Sequence, residues 1–481
     1  MTAANKGFYV QSIDTEYRLE PAYHLPEIVA LEQKIQSKSS KKLKHYIKSV
    51  ASGATPSVQE ETKYYTDNIN GIPFLRVQNL QPNGSLYLDD LKYINLDTHN
   101  SYLKRSQVSE GDLLVKITGV GRMAIASVAP AGFVGNTNQH MVVIKTNSLE
   151  ESTYLANYLN LDIIERLASR RATGGTRPAL DYQALKSIPI IENIDFSILN
   201  HAYTLKLQKE SEAQALLQSI DTYILDQLGI TIPEQRNDIE DRMFYVEFDE
   251  LETARFDPSF YNVNTKNLKN AILSSPFNKS TLKNLLIHSS AGDWGQEFNN
   301  DTHTYEECLV IRATEFKNNG NLDLDNNRVK FRYINKDKLK KMDLQPFDLL
   351  IEKSGGSIDQ PVGRVALITN EILQRNTLAF SNFIQKIRVD GNLVLPEFLF
   401  YYLKVMHNVK LTESMQSQTN GIRNLIMGSF YNQHVVLPSI DIQRNIVNHV
   451  NMMHSQINAL KSEAQSILDD AKAQIEKMIL A

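Results

Sequence analysis

The side chains of this sequence best suited to chemistry are clustered arginines and loops rich in amide and hydroxyl groups, and both kinds of group bind rather than react. Arg166, Arg170, Arg171 and Arg177 surround Thr173-Gly174-Gly175-Thr176. Guanidinium groups present a fixed fork of donors that matches phosphate, and glycines let backbone amides approach a polyanion closely. A solvated helix end followed by a turn is the plainer reading of the same residues. Gln418-Thr419-Asn420-Gly421 with Arg423 is a less basic version. The polar loops are Gln78-Asn79 after Arg76, Asn136-Thr137-Asn138-Gln139-His140, Thr314 after Arg312, Ser354 to Gln360 after Lys353, and Ser381-Asn382. Asn and Gln bond adenine bidentately in the major groove, and Arg and Lys favour guanine, so such loops suit direct reading of bases. They also suit ordinary turns. What sets them apart is that they recur at matching places in two halves of the chain.

Catalytic constellations are missing. The sequence holds no G-x-x-x-x-G-K-[ST] phosphate loop, no H-E-x-x-H, no G-x-S-x-G, and no G-x-G-x-x-G between a strand and a helix. Gly119-Val120-Gly121 runs into Arg122-Met123-Ala124 and lacks the third glycine. No N-P-P-[FYW] or D-P-P-Y tetrapeptide of an amino-methyltransferase occurs, and Asp257-Pro258-Ser259-Phe260 does not replace one. The 11 histidines are scattered, and the single cysteine, Cys308, excludes an intrachain disulfide and a multi-cysteine zinc site. A binding protein with no catalytic residue, metal or cofactor is therefore expected. The rival readings are a nuclease with a dispersed carboxylate site and an adaptor whose domains bind proteins.

The elements that must position these groups belong to a soluble globular chain. Its 481 residues are 42% hydrophobic and 22% charged, enough for two to four folding units. With 51 Lys and Arg against 55 Asp and Glu, the formal charge is -4, so contacts with a polyanion must come from local clusters. Met1-Thr2-Ala3-Ala4-Asn5 does not open a basic-then-apolar leader, and no run approaches 18 apolar residues. A cytoplasmic location is expected.

The chain reads as an imperfect duplication. Arg18-Leu19-Glu20-Pro21-Ala22-Tyr23 returns 237 residues later as Arg255-Phe256-Asp257-Pro258-Ser259-Phe260. Arg76, Asn83-Gly84-Ser85-Leu86 and Asp112-Leu113-Leu114 return at an offset of 236 as Arg312, Asn319-Gly320-Asn321-Leu322 and Asp348-Leu349-Leu350. Gly121-Arg122 then pairs with Gly363-Arg364, Gly175 and Arg177 with Gly421 and Arg423, and Pro189 with Pro438, a drift explained by small loop insertions. In each copy, apolar segments bounded by turn residues read as short strands, for example Ile72 to Leu80, Asp112 to Ile117, Met123 to Val128 and Met141 to Ile144.

A helical pattern closes each copy. Leu216, Leu217, Ile220, Tyr223, Ile224 and Leu228 recur at steps of three and four before Gly229 and Pro233. From Ile442 the seam Ile446, Val450, Met453, Ile457, Leu460, Ala464, Ile467, Ala471, Ile475, Met478 is that of a coiled coil. Forty helical residues extend ~60 Å, more than one compact domain needs, so a partner helix is expected near Leu199 to Leu228. The expected fold is α+β: two duplicated, mixed, strand-rich domains (1–195 and 233–438) joined by a spacer helix (196–232) and a C-terminal helix (439–481) that form an antiparallel coiled coil.

The chain resembles the specificity subunit of type I restriction-modification systems. The resemblance rests on Glu110-Gly111-Asp112-Leu113-Leu114 leading to Gly121-Arg122, echoed by Phe347-Asp348-Leu349-Leu350 leading to Gly363-Arg364. It rests too on Thr173-Gly174-Gly175-Thr176-Arg177 and on Leu437-Pro438-Ser439-Ile440-Asp441-Ile442-Gln443-Arg444. It implies two target-recognition domains that each read half of a bipartite DNA sequence, two DNA methyltransferase (modification) subunits docked on the helices, and a motor-nuclease restriction subunit for cleavage. The first copy departs from the pattern with Ile188-Pro189-Ile190-Ile191-Glu192, and about seventy residues precede its first expected recognition strand. A specificity subunit of another methyltransferase-based defence system is the alternative. The residues expected to contact DNA are Arg76, Gln78, Asn79, Arg122, Asn136, Asn138, Gln139, Arg170, Arg171, Thr173, Gly174, Gly175 and Arg177 in the first copy, and Arg312, Thr314, Lys353, Ser354, Arg364, Ser381, Asn382, Gln418 and Arg423 in the second.

Overall fold

The computed structural model describes residues 18–39, 41–235, 238–239, 243–248, 251, 256, 258–317, 319–357, 360–419 and 421–481. The repeat residues Arg255 and Asp257, and Asn420 of the second glycine turn, lie outside them. Chain contacts divide the protein into two compact units, Met1–Glu210 with Lys461–Ala481, and Ser211–Leu460.

The first unit carries β1 (Ser49–Ser52), β2 (Tyr65–Thr66), β3 (Ile72–Leu75), β4 (Lys92–Ile94), β5 (Gln107–Ser109), β6 (Leu113–Lys116), β7 (Ala126–Val128), β8 (Val134–Thr137) and β9 (Met141–Lys145). They form two sheets, β1-β9-β6-β7, antiparallel throughout, and β2-β4-β3-β8-β5, in which β3 and β8 run parallel. Leu113-Leu114-Val115 and Met141-Val142-Val143-Ile144 are uninterrupted apolar runs because their sheet is covered on both faces. Leu113, Val115, Val142 and Ile144 enter one core, and Leu114, Met141 and Val143 enter another.

The second unit carries β10 (Asn278–Thr281), β11 (Leu286–Ala291), β12 (Tyr305–Ile311), β13 (Lys330–Asn335), β14 (Leu349–Glu352), β15 (Ser354–Gly356), β16 (Val365–Leu367), β17 (Leu378–Phe380), β18 (Ile384–Val389), β19 (Gln416–Thr419), β20 (Ile422–Leu425) and β21 (His434–Leu437). Its sheet β11-β18-β14-β16 repeats the order and directions of β1-β9-β6-β7. Likewise β13-β12-β17 repeats β4-β3-β8, one antiparallel and one parallel pairing. Gly84 and Gly320 sit at φ +81° and +85° in matching turns, a conformation open to glycine, with the same closing bridges Leu80 to Leu86 and Phe316 to Leu322.

One expectation is corrected. The strand expected over Ile72 to Leu80 stops at Leu75, because Arg76 begins a 3-10 turn (Val77–Asn79) whose third residue bonds back to the Arg76 amide. The region before the first expected strand is also part of the fold. Helix Pro26–Lys38 and β1 match helix Val263–Leu273 and β11 of the second unit.

The two long helices span Ser197–Gln227 and Ile440–Leu480. In the first unit Leu199, Ala202 and Tyr203 share a core with Leu468, Ala471, Ile475 and Ile479, and Lys209 pairs with Glu463 at 2.9 Å. In the second unit Ala213, Ile220 and Ile224 share a core with Ile446, Val450, Met453 and Ile457, and Tyr223 stacks on His449 at 4.2 Å. Early residues of one helix meet late residues of the other, which makes the pair antiparallel. The apolar steps of three and four are the seam that holds it. Ile457→Asp places an unpaired charge in this seam and is expected to lower stability by several kcal/mol, whereas Met452→Asp, at an exposed position, is expected to leave it nearly unchanged. Urea unfolding of both variants checks this.

Candidate nucleic-acid interface

Backbone hydrogen bonds gather the polar loops of each unit at one end of its sheets. In the first unit the Ile117 amide donates to the His140 carbonyl (2.9 Å), Leu180 to Ile117 (2.7 Å), Gly119 to Pro178 (3.0 Å) and Asn138 to Leu75 (3.2 Å). The loops following β3, β6 and β8 and the segment Thr173 to Pro178 therefore meet. In the second unit Lys353 donates to Phe383 (2.9 Å), Leu425 to Lys353 (2.8 Å) and Ser381 to Ile311 (2.9 Å), which is the same frame. The isolated bridges of Thr118 and Thr173 to Ala179 become the three-stranded sheet β15-β20-β19.

The frame sorts the candidate residues into those facing solvent and those building the loops. Gln78, Gln139, Thr173, Gly174, Gly175, Arg177, Thr314 and Asn382 are exposed. Gln78 donates to Asp90, Gln139 accepts from Thr55, and Thr314 donates to Glu315 at 2.8 Å. Asn79 and Asn136 are buried. Asn79 donates to the carbonyls of Tyr87 and Asp90 and caps Arg76, and Asn136 bonds His99 and the Leu103 carbonyl. Asn138 and Ser381 are buried beneath their turns, where each side-chain oxygen accepts from the amide two residues on, His140 at 3.1 Å and Phe383 at 3.3 Å. Ser354 donates to Asn424. Gln418 belongs to β19, and its side chain is outside the described residues.

The arginines do not form one basic surface. Arg166 and Arg177 face solvent. Arg170 and Arg171 turn inward onto Glu32 of helix Pro26–Lys38, with all three side chains under a tenth exposed. Arg170 also donates to the Tyr23 carbonyl (2.6 Å) and lies 3.9 Å over its ring, and Arg171 donates to Ser187 (2.9 Å) and the Leu167 carbonyl (2.9 Å). Arg364 grips Glu352 with two bonds of 2.8 and 2.9 Å and reaches the Phe316 and Ala313 carbonyls, tying two loops of the second unit together. Arg122 pairs with Asp162 and the Asn160 carbonyl, Arg76 with Asp90 at 3.2 Å, and Arg312 with Glu315 at 2.7 Å. Arg423 lines a cavity of about 630 Å³ with Lys410 and Glu413. Lys353 is half-buried, and that burial pulls its ammonium below the usual lysine range.

Sequence reasoning missed Glu32 and Asp90, the acidic partners that take up the arginines, and Phe383, which occupies the place of His140. Only the drifting repeat register could have signalled Phe383. Among the described residues no cluster of His, Cys, Asp and Glu could hold a metal ion, and no helix is long and apolar enough to cross a membrane. Cys308 is buried, and burial raises its thiol to about 12, so it stays protonated and is no nucleophile at neutral pH. The arrangement presents hydrogen-bond donors and acceptors on loops gathered at one end of each unit's sheets.

Residues 292–467 match the model of a family described as the type I restriction modification DNA specificity domain. The match falls almost wholly on the second unit, whose two main sheets repeat the topology of the first. No curated protein matches the chain. Similar solved structures include a chain from work described as the structural basis underlying complex assembly and conformational transition of the type I R-M system (14% identity, TM-score 0.42). Others are the type I restriction-modification S subunit from M. genitalium (12%, 0.34) and the HsdS subunit from Thermoanaerobacter tengcongensis (14%, 0.32). Each similarity covers 91% of this chain and 94% of the other.

Proposed function

We propose that this chain is the DNA-recognition subunit of a type I restriction-modification complex, with each unit reading one half of a bipartite target. The observation that carries the proposal is the repeated loop frame: two units of one topology present polar loops from matching backbone hydrogen bonds, and one of them matches the specificity-domain family. Phosphate contacts would come from exposed donors such as Arg177 and the Gly174-Gly175 amides, and base contacts from Gln78, Gln139, Thr314 and Asn382. The chain would supply the address. Partner subunits, two DNA methyltransferases and a motor-nuclease, would supply methylation and cleavage.

The test is duplex binding across a salt series. Phosphate neutralisation releases counterions, so affinity should fall steeply as salt rises. Arg177→Ala is expected to weaken binding to cognate and unrelated duplexes alike and to flatten the slope by about one unit of log affinity per log salt. Arg177 is the clean position for this test because Arg170 and Arg171 also hold the fold. Salt-independent binding, or DNA cleavage by the purified chain with divalent metal alone, would count against the proposal.

A further inference from the structure

We propose that Phe383 is a base-reading residue of the second unit, contacting the 5-methyl group of a thymine in the major groove. The inference rests on the DNA-recognition reading above. Phe383 and His140 occupy one position in the repeated frame. Each carbonyl accepts from the residue after the first central strand, Lys353 or Ile117, and each amide donates to a buried side chain two residues back, Ser381 or Asn138. The first unit fills this position with an imidazole beside Gln139. The second fills it with a phenyl ring 48% exposed to solvent.

A large apolar ring left in water gains free energy when a contact covers it. The turn that carries Phe383 is fixed through its backbone amides. The Ser381 hydroxyl accepts its amide, and the Ile384 amide closes the turn on the Ser381 carbonyl at 3.0 Å. The ring lies beside Gly355, where an added Cβ would stand 3.9 Å from it, at ordinary van der Waals distance. Asn382, next to Phe383 in the chain, is exposed, and Lys353, whose amide donates to the Phe383 carbonyl, is half-buried. Donors around one apolar point match a major-groove edge, where the thymine methyl is the apolar feature the four base pairs offer.

The test uses the full chain and a randomised synthetic duplex pool free of 5-methylcytosine, so that thymine is the sole source of a 5-methyl group. Wild type, Phe383→Ala and Phe383→Leu each select duplexes, and selected duplexes are remade with deoxyuridine at single thymine positions. Wild type is expected to lose roughly threefold to tenfold in affinity at one such position, the worth of one buried methyl contact. Phe383→Ala should lose about as much on the thymine duplex and be indifferent to deoxyuridine. Phe383→Leu should recover part of the discrimination, and preferences in the other half of the target should not move. Wild-type indifference to every deoxyuridine, or a Phe383→Ala protein that selects the same duplexes with the same affinity, overturns the inference while leaving DNA recognition standing. Failure of wild type to select any duplex overturns both.

Discussion

Replacing Glu32 by Ala is expected to lower the unfolding free energy of the first unit by about 3–5 kcal/mol. Glu32 is the carboxylate on which Arg170 and Arg171 both close, and all three side chains are nearly excluded from solvent. Removing it leaves two guanidinium groups buried with backbone and hydroxyl acceptors but no countercharge, and the uncompensated charge dominates over the lost contacts. Truncating Glu60, whose pairing with Lys63 is 3.6 Å long and more than half exposed, should hardly move the transition, since solvent already screens that pair. Chemical denaturation of both variants, followed by a probe in the first unit, measures the difference. Equal effects would mean that the Glu32 site relaxes or hydrates and that the buried cluster is not what holds helix Pro26–Lys38 in place.

Exchanging residues 250–438 for the matching segment of a homologous subunit is expected to rewrite one half of the DNA target and leave the other half intact. If each unit reads through its own loop frame, nothing in the second frame is needed to form the first. Preference for the altered half-site should shift by about a thousandfold or more, the usual gap between specific and non-specific binding. If the long helices set the spacing between the two readers, inserting two heptads into both should instead change the preferred spacer, because paired readers engage one duplex only at a matching separation and rotational phase. Selection from a randomised duplex pool reads both outcomes. A simultaneous change in both halves would replace independent reading with one composite surface.

The duplication was legible in the sequence because turns demand particular residues. Gly84 and Gly320 keep their positive φ in both copies, and the Asp112 and Asp348 carboxylates each accept an amide three residues upstream, from Ser109 and Gln345. The helix pair was legible because one periodicity runs through forty residues. The arginine cluster was not legible as a pair turned inward and a pair turned outward. Adjacent arginines look alike in a sequence, and the carboxylate that separates them lies 138 residues from Arg170, brought near only by packing. The same limit applied to the polar loops. Asn79, Asn138 and Ser381 have residue types that suit bases and equally suit turns, and the structure buries them beneath the loops in bonds to turn amides. Phe383 was passed over because an aromatic residue in an apolar segment reads as core.

The shared helices also fix the order in which the protein can be completed. Residues 461–481 lie at the far end of the chain, yet Leu468, Ala471, Ile475 and Ile479 belong to the core of the first unit. A ribosome makes the whole of Ser211–Leu460 before those residues appear. The second unit can therefore close first, and the first waits with part of its apolar surface open until synthesis has passed Ile479. A premature stop a few turns before Ala481 would thus damage the unit made first and spare the one made second.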